Sequence, residues 1–266
     1  MPTFTSKVNA KLNLSLEIIG KAKGFHTLKM LICPYPAYSD EVSFIPTVEE
    51  GVCEIEVSAS FEDFDKSRFL HFFEPKAREI AKKCAVGGKF VVKKGVPLGA
   101  GLGGSTASVV AALKAALECA RSLGKNIALD ADFLLKLGSD APCMFYGEAC
   151  IVEGAGEIVK PVNLRLNPSD IHVEIAEGGS DTKACYDLYD KLSAAGENCA
   201  EYLPLKSEGW NFKGGSVAAF KNDLTLPAAT LNPNIGKLLE KFSKNYEFCV
   251  MSGSGSAVLG YKPKFC

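Results

Sequence analysis

Long apolar runs, histidine and any surplus of one charge are what this sequence is short of. No stretch approaches the roughly 18 uninterrupted apolar residues of a membrane-spanning helix. The opening Met1-Pro2-Thr3-Phe4-Thr5-Ser6-Lys7 also lacks the basic start and apolar run of a secretory leader. The expectation is a cytoplasmic protein with no membrane partner. Thirty Lys and Arg against 31 Asp and Glu leave a net charge of −1, which argues against a nucleic-acid partner gripped by general electrostatics. Histidine occurs only at His26, His71 and His172, HExxH spacing is absent, and the ten cysteines contain no CxxC. A metal held by a protein cluster is therefore not expected. The cysteines are spread from Cys33 to Cys266, too thinly for a disulfide scaffold, and read as reduced thiols packed as small hydrophobes.

What is present is an ordinary globular composition, 47% apolar and 23% charged over 266 residues, enough for one large domain or two modest ones. Residues 10 to 19 alternate apolar with polar, which predicts a half-buried strand with Lys11, Asn13 and Ser15 on one face. A turn at Gly20 to Gly24 leads to a second extended run from Phe25. Residues 42–45, 53–57 and 88–94 read as further strands, and Phe69 to Cys84 as a helix containing a proline. Beyond Gly104 the spacing of Val109, Val110, Leu113, Leu117, Ala120 and Leu123 predicts a helix. Others are expected at Ala131 to Leu137, Thr182 to Ala195 and Leu231 to Phe242, with a strand at Ile171 to Ala176 and a closing strand, glycine loop and strand. Strands and helices mix without strict alternation, which favours an α+β architecture in two lobes, divided here at 1–153 and 154–266.

Between the strand at 88–94 and the helix lies Pro97-Leu98-Gly99-Ala100-Gly101-Leu102-Gly103-Gly104-Ser105-Thr106. Four glycines in six positions let the backbone approach a ligand and turn its N–H groups inward, and the helix start adds its own amides and positive dipole end. Phosphate is the matching ligand. A bare strand-to-helix turn would need one or two glycines. Gly99, Gly101 and Gly104 also satisfy GxGxxG, but no second strand ending in an acid follows about 20 residues on, so the dinucleotide-binding context is missing. No GK[ST] follows either, which removes the P-loop pattern.

With these residues the sequence resembles the GHMP kinases, ATP-dependent kinases of small molecules. Asn9-Ala10-Lys11-Leu12-Asn13-Leu14, Gly24-Phe25-His26, the Pro97 to Ser105 loop and Gly138-Ser139-Asp140-Ala141-Pro142 follow the family's motifs in order, as do Asn222-Asp223-Leu224 and Ser252-Gly253-Ser254-Gly255. The resemblance implies a two-lobed fold with an N-terminal lobe like domain 2 of ribosomal protein S5 and a ferredoxin-like C-terminal lobe. It implies ATP, with Mg²⁺ bridging its phosphates, bound at residues 97–106. Asp140 then accepts the acceptor's hydroxyl proton and Lys11 offsets charge on the transferring group. Within the family the pattern is similar to members of the non-mevalonate isoprenoid route that phosphorylate a cytidine diphosphate conjugate of methylerythritol. There Phe25, His26 and Tyr186 match the positions holding the cytidine and Asn13 matches the one orienting the acceptor, although Phe25 stands where a tyrosine is usual. A kinase for another small alcohol and a catalytically silent nucleotide-binding protein are the alternatives. For Asp140 a turn or cap aspartate, for Lys11 an exposed strand lysine, and for Phe25 and Tyr186 core packing are the competing roles. Nothing in the sequence chooses between monomer and homodimer, or among Ser105, Thr106 and Ser108 as the hydroxyl that meets phosphate or metal.

Overall fold

The computed structural model describes residues 2–22, 24–51, 53–62, 64–164, 166, 170–203, 205–213 and 215–262. It is an α+β protein whose chain forms two compact units, Met1–Ala10 with Pro36–Pro97 and Gly103–Gly147, and Lys11–Tyr35 with Leu98–Leu102 and Glu148–Cys266. The unit boundary falls within the two longest strands, β1 (Phe4–Ala22) and β2 (Phe25–Pro46).

In the first unit the later half of β2 pairs antiparallel with β4 (Gly88–Lys94), Phe44 opposite Phe90, and β3 (Cys53–Ala59) pairs parallel with β4. A parallel pair cannot be joined by a hairpin, and the crossover is the helix α1 (Lys66–Cys84). Asp65 caps α1 by accepting the Arg68 N–H at 2.9 Å. The helix buries Phe69, Phe73, Ala77 and Ile80, spaced four, four and three apart. Pro75 lies on its exposed face and removes one backbone donor without ending the helix. Against α1 packs α2 (Gly104–Ser122), which also meets α3 (Ala131–Leu137) and α4 (Ala141–Tyr146). Surrounded in this way, α2 is buried on most sides, and its alanines at 107, 111, 112, 115, 116 and 120 let its neighbours approach closely.

In the second unit the early half of β2 pairs antiparallel with β5 (Cys150–Gly154), β5 with β6 (Ile158–Pro161), and β1 runs parallel to the short β10 (Lys221–Asn222). A three-stranded antiparallel sheet in the order β11 (Phe248–Met251), β12 (Ala257–Tyr261), β7 (Ile171–Ile175) packs against α7 (Pro233–Asn245). Helices α5 (Thr182–Ala194) and α6 (Thr225–Leu231) continue that layer, and β8 (Glu208–Phe212) and β9 (Gly215–Ala219) form a hairpin.

Two expectations are corrected. The helix expected at Leu231 to Phe242 is α7, but it begins at Pro233, where the proline's missing N–H costs nothing; Asn232 is extended, and Leu231 instead ends a separate helix, α6, that the pattern did not predict. The strand at 10–19 is not half-buried. Every residue from Ala10 to Leu16 is buried, Lys11, Asn13 and Ser15 included, because the polar face finds hydrogen-bonding partners inside the protein. None of the nine described cysteines is disulfide-bonded, and eight are buried. Among the described residues no helix is long and apolar enough to cross a membrane.

Candidate active site

The glycine loop owes its conformation to its carbonyls. In the second unit, Gly99 O accepts the Ser180 N–H at 3.1 Å, Ala100 O the Ala257 N–H at 3.0 Å and Leu102 O the Lys11 N–H at 3.0 Å. Gly101 O accepts the Ser252 hydroxyl at 3.0 Å. Four successive carbonyls thus point at protein donors. In a trans peptide the C=O of one residue and the N–H of the next are antiparallel, so the amides of Ala100, Gly101, Leu102 and Gly103 are turned the other way. The dihedrals agree: φ is +67° at Gly99, +73° at Gly101 and +75° at Gly103, with non-glycine residues of negative φ between them. Alternating backbone of this kind makes a concave row of N–H groups that suits an anion. Gly101 is obligatory for a second reason, since a Cβ there would lie 2.0 Å from the Ser252 carbonyl oxygen.

The second glycine loop, residues 252–255, is the floor on which the first one rests. Ser252 Oγ accepts the Asn13 N–H at 3.0 Å while donating to Gly101 O, so one hydroxyl ties β1 to the loop. Asn222 holds this floor in turn, its Nδ2 donating to Met251 O at 2.7 Å and Gly253 O at 2.8 Å and its Oδ1 accepting the Leu224 N–H. The Asn222-Asp223-Leu224 motif is therefore a brace. Beside it the buried Lys11 ammonium donates to Asn13 Oδ1, and Asn13 Nδ2 contacts Met30 Sδ at 3.3 Å. Lys11 is not an exposed strand lysine.

The same unit holds the aromatic group. His26 stacks on Tyr186 with ring centroids 4.7 Å apart, Tyr189 meets it edge-on, and His26 Nε2 is 2.8 Å from Asp190 Oδ1. Lys21 donates to the other Asp190 oxygen at 2.6 Å, and this, with His26, holds the Asp190 carboxyl below its ordinary range. Phe25 is 71% exposed and has no place in the core. His26 and Tyr186 are brought into contact; Phe25 stands apart in solvent.

In the first unit, α2 begins at Gly104 with Gly103 as its cap residue and no side-chain cap. Gly104 is pressed against the chain on the other side of the loop: a Cβ there would be 2.2 Å from Pro97 O. The three hydroxyls separate here. Ser108 is fully buried and donates to Asp40 Oδ2 at 2.6 Å, Thr106 is buried beside Gly138, and Ser105 is only half-buried. Asp140 is the residue that opens α4; its side chain makes no capping bond to that helix, and its carbonyl accepts the Met144 N–H at 3.0 Å. Gly138, two residues before Asp140, would carry a Cβ 3.0 Å from Thr106 Oγ1, which sets the 138–140 turn next to the start of α2. Sequence reasoning missed Asp40, Lys94, Asp190 and Ser180. Only a lysine at the end of one predicted strand and an acid two residues before another signalled the first two. Among the described residues no group of three or more His, Cys, Asp or Glu is arranged to hold a metal.

Comparison with known proteins follows from this geometry. The profile of the GHMP kinases N terminal domain matches residues 69–148. A 4-diphosphocytidyl-2-C-methyl-D-erythritol kinase of Prochlorococcus marinus subsp. pastoris is 30% identical over 276 residues, an alignment covering 94% of this chain and 82% of the relative. The protein of the same name from Thermosipho africanus is 26% identical, with 94% and 88% covered. Among solved structures, that of a 4-(cytidine 5'-diphospho)-2C-methyl-D-erythritol kinase aligns with a TM-score of 0.62 at 20% identity, covering 97% of this chain and 89% of that one. A mevalonate diphosphate decarboxylase from Legionella pneumophila aligns with a TM-score of 0.61 at 14% identity, covering 98% and 93%. These two likenesses establish a common fold; since one belongs to a decarboxylase, the fold alone does not select the reaction.

Proposed function

The chain belongs to the GHMP kinase family, and from that premise we propose that it transfers the terminal phosphoryl group of ATP to the 2-hydroxyl of 4-diphosphocytidyl-2-C-methyl-D-erythritol, releasing ADP, in non-mevalonate isoprenoid precursor synthesis. The observation that carries the phosphate half of this reading is the run of four loop carbonyls bonded to protein donors, which leaves the opposite amides directed at an anion. The names of the similar proteins supply the acceptor.

Phosphoryl transfer asks little covalent chemistry of a protein; it asks for positioning and for charge stabilisation. In this proposal residues 97–106 hold the ATP phosphates, with Ser105 as the loop hydroxyl nearest the surface. Mg²⁺ bound with the nucleotide supplies charge neutralisation on the donor phosphates. Asp140, at the start of α4, accepts the acceptor hydroxyl's proton. Lys11 offsets the growing negative charge, its ammonium oriented by the Asn13 amide oxygen. Asn13 orients the acceptor. His26, stacked on Tyr186 and held by Asp190, reads the base edge, while Phe25 offers a free aromatic face for stacking.

A coupled assay of ADP release over a panel of small alcohols, the cytidyl conjugate included, tests this. Transfer to that conjugate alone, inhibited by free cytidine nucleotides, is expected. Transfer to another alcohol without cytidine sensitivity would assign the chain to a different kinase of the family, and ATP binding with no transfer to any alcohol would make it a silent nucleotide binder. Asp140→Asn is expected to leave ATP affinity in place and lower kcat at least about 100-fold, the scale of losing a general base; unchanged turnover would remove Asp140 from the mechanism.

A further inference from the structure

Asp40 lies in the later half of β2, more than fifty residues before the glycine loop, and is completely buried. Its carboxylate is saturated. Oδ1 accepts the Gly95 N–H and the Val96 N–H, both at 2.9 Å, and Oδ2 accepts Lys94 Nζ at 2.5 Å and the Ser108 hydroxyl at 2.6 Å. Lys94, as buried as its partner, passes the connection on by donating to Gly104 O at 2.5 Å. These partners fall on both sides of the phosphate loop, 94–96 before it and 104 and 108 after it. They meet where Gly104 touches Pro97, which makes the neck of the loop.

Burying an ion pair is a poor way to stabilise a fold, because the desolvation of two charges offsets most of their attraction, and apolar residues of like size serve as well or better. A carboxylate nevertheless does here what an apolar or amide side chain does not: it accepts from four donors at once and donates to none. We infer that Asp40 is the positioning residue of the phosphate loop, one buried carboxylate that pins both flanks of its neck and so sets where the loop amides meet a phosphate. The inference rests on the kinase reading only for the identity of that phosphate. Burial pushes the Lys94 ammonium down, and its bond to Asp40 opposes this. An error of about 1 Å at the neck reaches the reacting phosphate, and misplacement on that scale costs on the order of 100-fold in rate.

The experiment compares wild-type protein with Ser108→Ala, which removes one donor, and Asp40→Asn, which removes the carboxylate. Three readouts are taken: hydrogen exchange across residues 95–108, ADP affinity by calorimetry, and steady-state KM for ATP and for the acceptor. Exchange at Gly95, Val96 and the loop amides is expected to quicken at least about tenfold in both variants. ADP affinity and KM for ATP should weaken about tenfold in Ser108→Ala, the scale of a hydrogen bond to a charged group, with acceptor KM nearly unchanged. Wild-type exchange and ADP affinity in Ser108→Ala would overturn the inference, as would equal losses in both KM values that merely track stability. If Asp40→Asn does not fold, Ser108→Ala decides alone. A wild-type protein that does not bind ADP would overturn the kinase reading, while the exchange data would still decide whether Asp40 holds the loop.

Discussion

Gly101 is the position where one methyl group should matter most. Its φ of +73° and the Ser252 carbonyl 2.0 Å from a would-be Cβ act together, whereas Gly124 has nearly the same φ, +74°, and open space around it. The pair separates backbone strain from steric exclusion. Gly124→Ala is expected to cost about 1 kcal/mol of stability, the penalty of left-handed backbone, and to leave KM for ATP alone. Gly101→Ala must move either the loop or its floor. It should weaken ATP binding about 10- to 100-fold, corresponding to about 1–3 kcal/mol of displaced or strained backbone. Nucleotide titration of the two variants checks this, and equal affinities would mean that the loop tolerates the shift.

At the scale of elements, α7 shows how one side chain joins a helix to its surroundings. Asn232 Oδ1 caps the helix by accepting the Asn234 N–H at 3.1 Å, while Nδ2 donates to Glu177 O at 2.8 Å and Gly179 O at 2.9 Å. Losing the cap costs about 1 kcal/mol and each of the other bonds about 0.5–1.5 kcal/mol. Asn232→Ala should therefore lower Tm by roughly 4–16 °C at about 2–4 °C per kcal/mol. Asn232→Asp, a sound replacement at an ordinary cap, should not restore it, since a carboxylate would then face two carbonyl oxygens. Thermal melts of both variants decide; full rescue by aspartate would reduce Asn232 to a cap alone.

For the whole molecule the buried thiols set the alkaline limit. Burial pushes Cys33 up to about 12, helped by Cys150, and pushes Cys84 and Cys249 up to about 11, from an ordinary value of 9.0. Above pH 9 the unfolded chain gives up these protons while the folded one keeps them, so the unfolded state binds fewer and stability falls with rising pH. The contribution is complete below about pH 9 and is lost progressively towards pH 11–12. Denaturant melts from pH 7 to 10.5 should show a midpoint that declines only above pH 9. Iodoacetamide at pH 8 should label Cys53 first among the described cysteines, because it alone is not buried. Rapid native alkylation of Cys33 would contradict the burial argument.

Much of the fold was legible one segment at a time. The apolar spacing after Gly104, the run Phe69 to Cys84 and the glycine density of residues 99–104 depend on local periodicity and local steric freedom, and each appears where the pattern puts it. The break between α6 and α7 was less legible, because Leu231 continues the apolar pattern across a residue whose extended backbone is held by carbonyls some fifty positions away. The polar face of β1 reads as solvent-facing by alternation and is buried, since the chain that covers it comes from elsewhere: Leu31 on the next strand donates its N–H to Ser15, and Ser252, more than two hundred residues downstream, accepts the Asn13 N–H. Composition and spacing by themselves determined an α+β chain with a glycine loop shaped to suit an anion and a family resemblance. Which hydroxyl is spent inside the protein, which carbonyls turn the loop's amides outward and which buried carboxylate pins its neck were decided only by folding, because hydrogen-bond partners are chosen by proximity in space and leave no period in the sequence.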